Sequence, residues 1–260
     1  MLDARHCNAM TIRFERDGAI GSLLIDRADR RNAITLGMWQ TIPALLDKVE
    51  AEPGLRVLIV KSAEGGAFSV GADIAEMVAS KDDAPWLADN QAAISEAQHR
   101  LAQCPIPTIA FVEGDCIGGG CAIALACDIR IATPAARFGI TPAKLGLVYP
   151  FHDVKLLTDL VGPGQAKRLL YTGDLIGAKE AERIGLVEII ADSPDHIAET
   201  MAANSSVSNR IMKQMTRRIL GGQIEEDLAT RDMFAAAFES DDFAEGTAAF
   251  IEKRKPKFTG

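Results

Sequence analysis

Two stretches of this chain combine residue types and spacing that can do chemistry: Ala67-Phe68-Ser69-Val70-Gly71-Ala72-Asp73-Ile74 and Gly118-Gly119-Gly120-Cys121-Ala122-Ile123-Ala124-Leu125-Ala126-Cys127-Asp128. Each follows an apolar run with strand character and opens a run with helix character. A helix start leaves backbone N–H groups without intrahelical partners and carries partial positive charge, so two such starts can aim donors at one developing oxyanion. A thioester enolate is the kind of charge this device stabilises. The acid–base pair that would ordinarily accompany it is missing from the neighbourhood. No Asp or Glu precedes Asp128 in the second stretch, and Phe138 to Tyr149 contains none. The nearest ionisable candidates are Glu113 and Asp115, which flank Gly114, and the pair His152-Asp153, read here as a surface-loop pair.

The elements that must position these stretches follow from the apolar pattern. Ile20 to Ile25 and Leu55 to Val60 read as strands, with helical spacing over Leu36 to Glu50 between them. Asp73 to Ser80 starts a helix, Lys81 to Pro85 reads as a loop, and Trp86 to Gln103 is a second helix ended by Pro105 and Pro107. Ile109 to Val112 is the strand feeding the triple glycine, and Asp128 to Ala132 returns as strand. This order predicts β-β-α units around one core in residues 1–203. From Asn204 onward the texture changes to three helices, Ser208 to Leu220, Ile224 to Glu239 and Asp242 to Lys253, the last capped by Ser240 or Asp241 with Phe243, Thr247, Phe250 and Ile251 on one face.

Composition narrows the partners. A formal net charge of −8 over 260 residues argues against a nucleic-acid or anionic-membrane surface, so an anionic ligand must be met locally. The five cysteines, Cys7, Cys104, Cys116, Cys121 and Cys127, include no C-x-x-C pair and read as buried thiols, with no metal site expected. Met1 to Arg16 lacks a continuous apolar region and no membrane span is visible, so a cytoplasmic location is the expectation.

The chain resembles the enoyl-CoA hydratase/isomerase (crotonase) family over nearly its entire length. The resemblance is carried by Arg30-Arg31-Asn32-Ala33, the two oxyanion-type stretches, Phe138-Gly139, Gly173-Asp174 with Ala178 to Val187, and the ending Ala249-Phe250-Ile251-Glu252-Lys253-Arg254. It implies an α/β spiral of ββα units with a C-terminal helical trimerisation region in residues 204–260, assembled as a homo-oligomer, a trimer or dimer of trimers. It implies an acyl-CoA substrate, with coenzyme A entering as part of the thioester and no permanently bound cofactor. It assigns the oxyanion donors to the N–H groups of Ala72 and Gly119, the nucleotide and pantetheine path to Ala72, Asp73 and Ile74, and a CoA contact to Phe250 and Lys253.

The chain also departs from the family. Hydratases of this family use two glutamates to add water across a conjugated double bond, and motif matching puts Ala122 and Pro142 at those places. A methyl group and a pyrrolidine ring transfer no protons. The segment from Thr141 to Tyr149 resembles instead the methylmalonyl-CoA decarboxylase branch, whose threonine–proline pair and later tyrosine match Thr141, Pro142 and Tyr149; that branch places a histidine where this chain has Ala72. Decarboxylation needs no base, because departing CO2 leaves its electron pair as the enolate, and Tyr149 would orient the carboxylate or deliver the final proton. The expectation is therefore a malonyl-type acyl-CoA decarboxylase. The alternatives are a hydratase or isomerase with relocated acid–base residues and a non-catalytic CoA-binding or scaffold homologue.

Overall fold

The computed structural model describes residues 11–259, so Cys7 lies outside the described residues. The chain runs β1 (Ile12–Asp17), β2 (Ile20–Ile25), α1 (Leu36–Ala51), β3 (Val57–Ser62), α2 (Ile74–Ala79), α3 (Ala84–Gln103), β4 (Thr108–Val112), β5 (Asp115–Ile117) and α4 (Gly119–Ala126). It continues through β6 (Ile129–Ala132), β7 (Arg137–Gly139), α5 (Phe151–Thr172), β8 (Ile176–Gly177), α6 (Ala178–Arg183), β9 (Ile189–Ile190), α7 (Asp195–Ala203), α8 (Ser206–Leu220), α9 (Leu228–Phe238) and α10 (Asp241–Glu252). Two sheets result, a six-stranded one in the order β1-β2-β3-β4-β6-β9 and a three-stranded one in the order β5-β7-β8. Among the described residues, only β1 with β2 and β7 with β8 pair antiparallel.

The unbroken apolar runs of β3 and β4 exist because the large sheet is covered on both faces. Successive side chains point to opposite sides. Leu58, Val60, Ala110 and Val112 face the main core with α1, α3 and α4, whereas Val57, Ile59, Ile109 and Phe111 face a smaller core closed by Ala198 of α7. In α1 the stripe Met38, Trp39, Ile42, Leu45, Leu46 and Val49 is buried, the spacing of one helix face. The helix α4 is buried from Gly120 to Ala126, which explains its lack of a polar face.

Several element bounds differ from the sequence expectation for local reasons. The expected loop at 81–85 shortens because Asp83 caps α3, accepting from Trp86 N–H at 3.2 Å, and Pro85 sits in the first turn where its missing N–H costs nothing. Helix α9 begins at Leu228 instead of Ile224, since Asp227 and Thr230 form a reciprocal cap after the turn at Gly221-Gly222. Ser240, the first of the two expected caps, holds α10 by accepting from Phe243 N–H at 3.1 Å. The largest omission is α5, which bends at Gly162 (φ 72°) before Pro163. The four cysteines among the described residues are free and buried. No helix among the described residues is long and apolar enough to cross a membrane.

Candidate functional site

The first oxyanion-type stretch is shaped by a turn that grips it from behind. Arg31 and Asn32 adopt left-handed backbone (φ 52° and 57°), which turns the Asn32 side chain inward. Its amide donates to Ser62 Oγ at 2.9 Å and Ala67 O at 2.8 Å, and its oxygen accepts from Arg27 N–H at 2.8 Å. Ser69 Oγ donates to Asn32 O at 2.7 Å and accepts from Gly71 N–H at 3.1 Å. A parallel bridge then pairs Ile34 with Ala72: Ile34 N–H donates to Gly71 O at 2.8 Å and Asp73 N–H to Ile34 O at 2.9 Å. Strand alternation turns the Ala72 N–H to the opposite side, where it donates to no group among the described residues.

The second stretch meets the first there. Ser69 N–H donates to Asp115 O at 3.1 Å and Ile117 N–H to Ser69 O at 2.9 Å, so β5 delivers Gly118 and α4 directly against Gly71. The approach leaves no room for side chains: a Cβ on Gly71 (φ 90°) would stand 2.8 Å from Ile117 O and 2.9 Å from Gly119 N, and one on Gly120 would stand 2.7 Å from Ser69 Cβ. The ideal Cβ direction of Gly119 ends 3.5 Å from Ala72 N. Gly119 opens α4, and its N–H, like that of Ala72, donates to no group among the described residues. Two amide N–H groups without acceptors among the described residues thus lie close together.

Two of the neighbouring acids, Asp73 and Asp115, are occupied. Asp73 caps α2, accepting from Glu76 N–H at 3.1 Å, and pairs with Arg27 at 2.7 Å. The Arg27 hydrogen bond, with the cap bond from Glu76, holds its carboxyl below the usual carboxylate range. Asp115 is engaged by Arg137 through bonds of 2.7 and 2.9 Å and by Arg31. Ala122 is buried within α4, and Pro142 begins the short 3-10 turn Pro142–Leu145.

Tyr149 and Thr141 belong to the wall beside the donors. The Tyr149 hydroxyl donates to Gly118 O at 3.0 Å, and burial pushes its pKa well above the ordinary phenol value. A Cβ on Gly118 would come within 3.9 Å of Thr141 Oγ1. Ala72, Asp73, Gly119, Thr141 and Tyr149 are therefore brought together, with Ile74 opening α2 immediately after Asp73. Phe250 and Lys253 are not among them. Phe250 is 84% exposed on α10, in a groove with Phe234, Phe238, Phe243 and Phe258, and Lys253 ends that helix.

Asp153 is the functional candidate that sequence reading misplaced. It lies in the first turn of α5 with 0% exposure, and neither carboxyl oxygen has a partner among the described residues. Burial raises its pKa to about 7. The Gln98 amide oxygen and His152 Nε2 are likewise buried without partners. The signal was present in the spacing: Asp153, Leu157 and Val161 recur at four-residue intervals and are all buried.

Comparison with known proteins identifies the family. The family model for enoyl-CoA hydratase/isomerase matches residues 15–260. A Mycobacterium bovis protein named "Probable enoyl-CoA hydratase echA8" is 34% identical over 256 residues, covering 96% of this chain and 98% of that protein. A crotonyl-CoA hydratase of Syntrophomonas wolfei is 33% identical over 252 residues, covering 94% and 96%. Among solved structures, an enoyl-CoA hydratase/isomerase family protein from Hyphomonas neptunium superposes with a TM-score of 0.92 at 34% identity, covering 96% of this chain and 98% of the other. The chain belongs to the enoyl-CoA hydratase/isomerase family, and its α/β architecture is that of the crotonase structures.

Proposed function

We propose that this family member is an acyl-CoA enzyme whose chemistry passes through a thioester enolate, with decarboxylation of a malonyl-type acyl-CoA as its preferred reaction. The observation that carries the reading is the pair of unclaimed N–H groups of Ala72 and Gly119 beside Ala122 and Pro142, which supply no proton-transferring group. The thioester oxygen sits between the two donors. The bond from Cα to the carboxylate breaks, its electron pair moves into the enolate, the oxygen charge is met by the two N–H groups, and CO2 leaves. A proton then adds at Cα. Nothing in the bond-breaking step calls for a base, and the paired state of Asp73 and Asp115 supports that economy.

The CoA portion follows Ala72, Asp73 and Ile74, and Phe250 and Lys253 meet it in a homo-oligomer, a trimer or dimer of trimers. The exposed aromatic face of Phe234, Phe238, Phe243 and Phe250 supports burial of α9 and α10 in such an assembly. A second reading, hydration or isomerisation with relocated acid–base groups, draws support from the hydratase names of the relatives and from buried Asp153. A panel of malonyl-, methylmalonyl- and crotonyl-CoA, followed by mass for loss of CO2, gain of water or a shifted double bond, decides between them. Binding of all three without turnover would leave a CoA-binding homologue.

A further inference from the structure

The peptide linking Gly118 to Gly119 is used at both ends. Its N–H, on Gly119, is one of the two unclaimed donors, while its carbonyl, Gly118 O, accepts from Ala122 N–H at 3.1 Å and from the Tyr149 hydroxyl at 3.0 Å. The first of these bonds belongs to the opening turn of any α-helix. The second is brought from 31 residues away in sequence and serves no helix. An amide is a conjugated unit, so a donor placed on its oxygen draws density from its nitrogen and strengthens the N–H as a donor in turn. The same bond fixes the rotation of this peptide plane, which hangs on Gly118 at φ 53°. The hydroxyl keeps its proton for this purpose, since burial disfavours the phenolate.

We infer that Tyr149 is a positioning residue that acts on the thioester through the Gly118–Gly119 peptide, aiming and polarising the Gly119 N–H. This rests on the reading of Ala72 and Gly119 as oxyanion donors and is independent of which substrate bond breaks. Magnitude separates it from a direct role. Strengthening one oxyanion donor by the roughly 10–30% typical of hydrogen-bond cooperativity changes turnover roughly 2- to 8-fold. A hydroxyl that itself delivers a proton in the reaction is worth roughly 100- to 10,000-fold.

The experiment is infrared difference spectroscopy of acetyl-CoA carrying a 13C label in its thioester carbonyl, bound to the full-length protein and to Tyr149→Phe. The wild type is expected to lower the carbonyl stretch relative to free acetyl-CoA. Tyr149→Phe should retain affinity within about twofold, lose part of that shift, and lower kcat roughly 2- to 8-fold with KM nearly unchanged on whichever thioester is turned over. Replacing Tyr149 with 3-fluorotyrosine, a stronger donor of similar shape, should enlarge the shift and covers the case in which the phenylalanine variant folds poorly. An identical shift in wild type and both variants overturns the proposal, and a loss of 100-fold or more in Tyr149→Phe with the shift intact assigns the hydroxyl to the substrate instead. Absence of any shift in the wild type removes the oxyanion pair, and this inference with it.

Discussion

The cradle formed by residues 27–73 with 115–126 and the wall formed by 141–153 face one site but are built on opposite rules. In the cradle nearly every polar group has a partner: Asn32 makes three hydrogen bonds, Ser69 Oγ makes two, and Asp73 and Asp115 are held by arginines. Its unclaimed groups include the two backbone N–H groups and the buried Trp39 indole N–H, and the backbone pair is set by the close approach of Gly71 to Gly119. The wall shows the reverse. Val148 and Phe151 are 91% and 86% exposed, while Asp153, shielded from solvent, has a carboxyl with no partner. A fully satisfied network fixes geometry, whereas orphaned or exposed groups leave chemistry and specificity adjustable. On the proposed reading, the cradle holds what the substrates share, a thioester oxygen, and the wall decides what happens next.

The comparison breaks most visibly if the wall retains hydratase power. Because each general acid or base contributes roughly 100- to 10,000-fold, loss of both glutamate positions should leave crotonyl-CoA hydration at least about 10,000-fold below that of a glutamate-bearing member. Ala122→Glu alone should not restore it, since Pro142 still offers no carboxyl. Efficient hydration by the unaltered protein, measured by loss of the enoyl absorbance, would shift attention to Glu113, Asp115 or Asp153.

Asp153 tests the claim that the wall carries stored cost. Its folded-state pKa of about 7 lies above the ordinary 3.8, so the folded chain holds a proton that the unfolded chain releases between those values. Stability should therefore fall as pH rises from about 4 to about 7, and above that window the penalty amounts to about 4 kcal/mol. Asp153→Asn removes the titration and should be more stable than wild type at pH 8 by up to that amount, with little difference near pH 4. Parallel urea-unfolding profiles of the two proteins across this range would contradict the burial of an uncompensated carboxyl.

Within the cradle, Gly119→Pro deletes one donor at a helix position that accepts proline, and should lower turnover on the order of 100-fold, about 3 kcal/mol. Near-normal turnover in a variant with native circular dichroism would dismiss the donor role of Gly119. The smallest effect belongs to the distant α10: Lys253→Ala should weaken CoA binding several-fold, less so at high salt, as befits an exposed charge. Isothermal titration at two salt concentrations that showed no change would release Lys253 from the CoA path.

The cradle was largely legible in sequence because glycines at close approach and short apolar strands leave strong local marks. Gly71, Gly118 and Gly120 could be read as a turn and a helix start before their partners were known. The wall was less legible. Helix α5 is broken by Gly162-Pro163 and its polar and apolar residues do not segregate cleanly, so the four-residue spacing of Asp153, Leu157 and Val161 left only a faint mark of it, and the placement of His152-Asp153 in a surface loop was wrong for Asp153. Strands β8 and β9 are two residues each and exist only through pairing with β7 and β6, information that no local pattern contains. The Tyr149 bond to Gly118 O joins residues 31 apart and is set by tertiary packing alone.

The close contact of Gly71 with Gly119 has a further consequence for how such a protein can change. The groups proposed to grip the thioester are main-chain atoms, so side-chain truncation by alanine scanning leaves both donors in place, and the genetic code offers proline as the sole residue that deletes an N–H. Side chains at 122, 142, 149 and 153 can meanwhile be exchanged one at a time. Inheritance of the electrophile's grip is thereby uncoupled from inheritance of the reaction, and a lineage can drift from one product to another without dismantling the site that all of those reactions share.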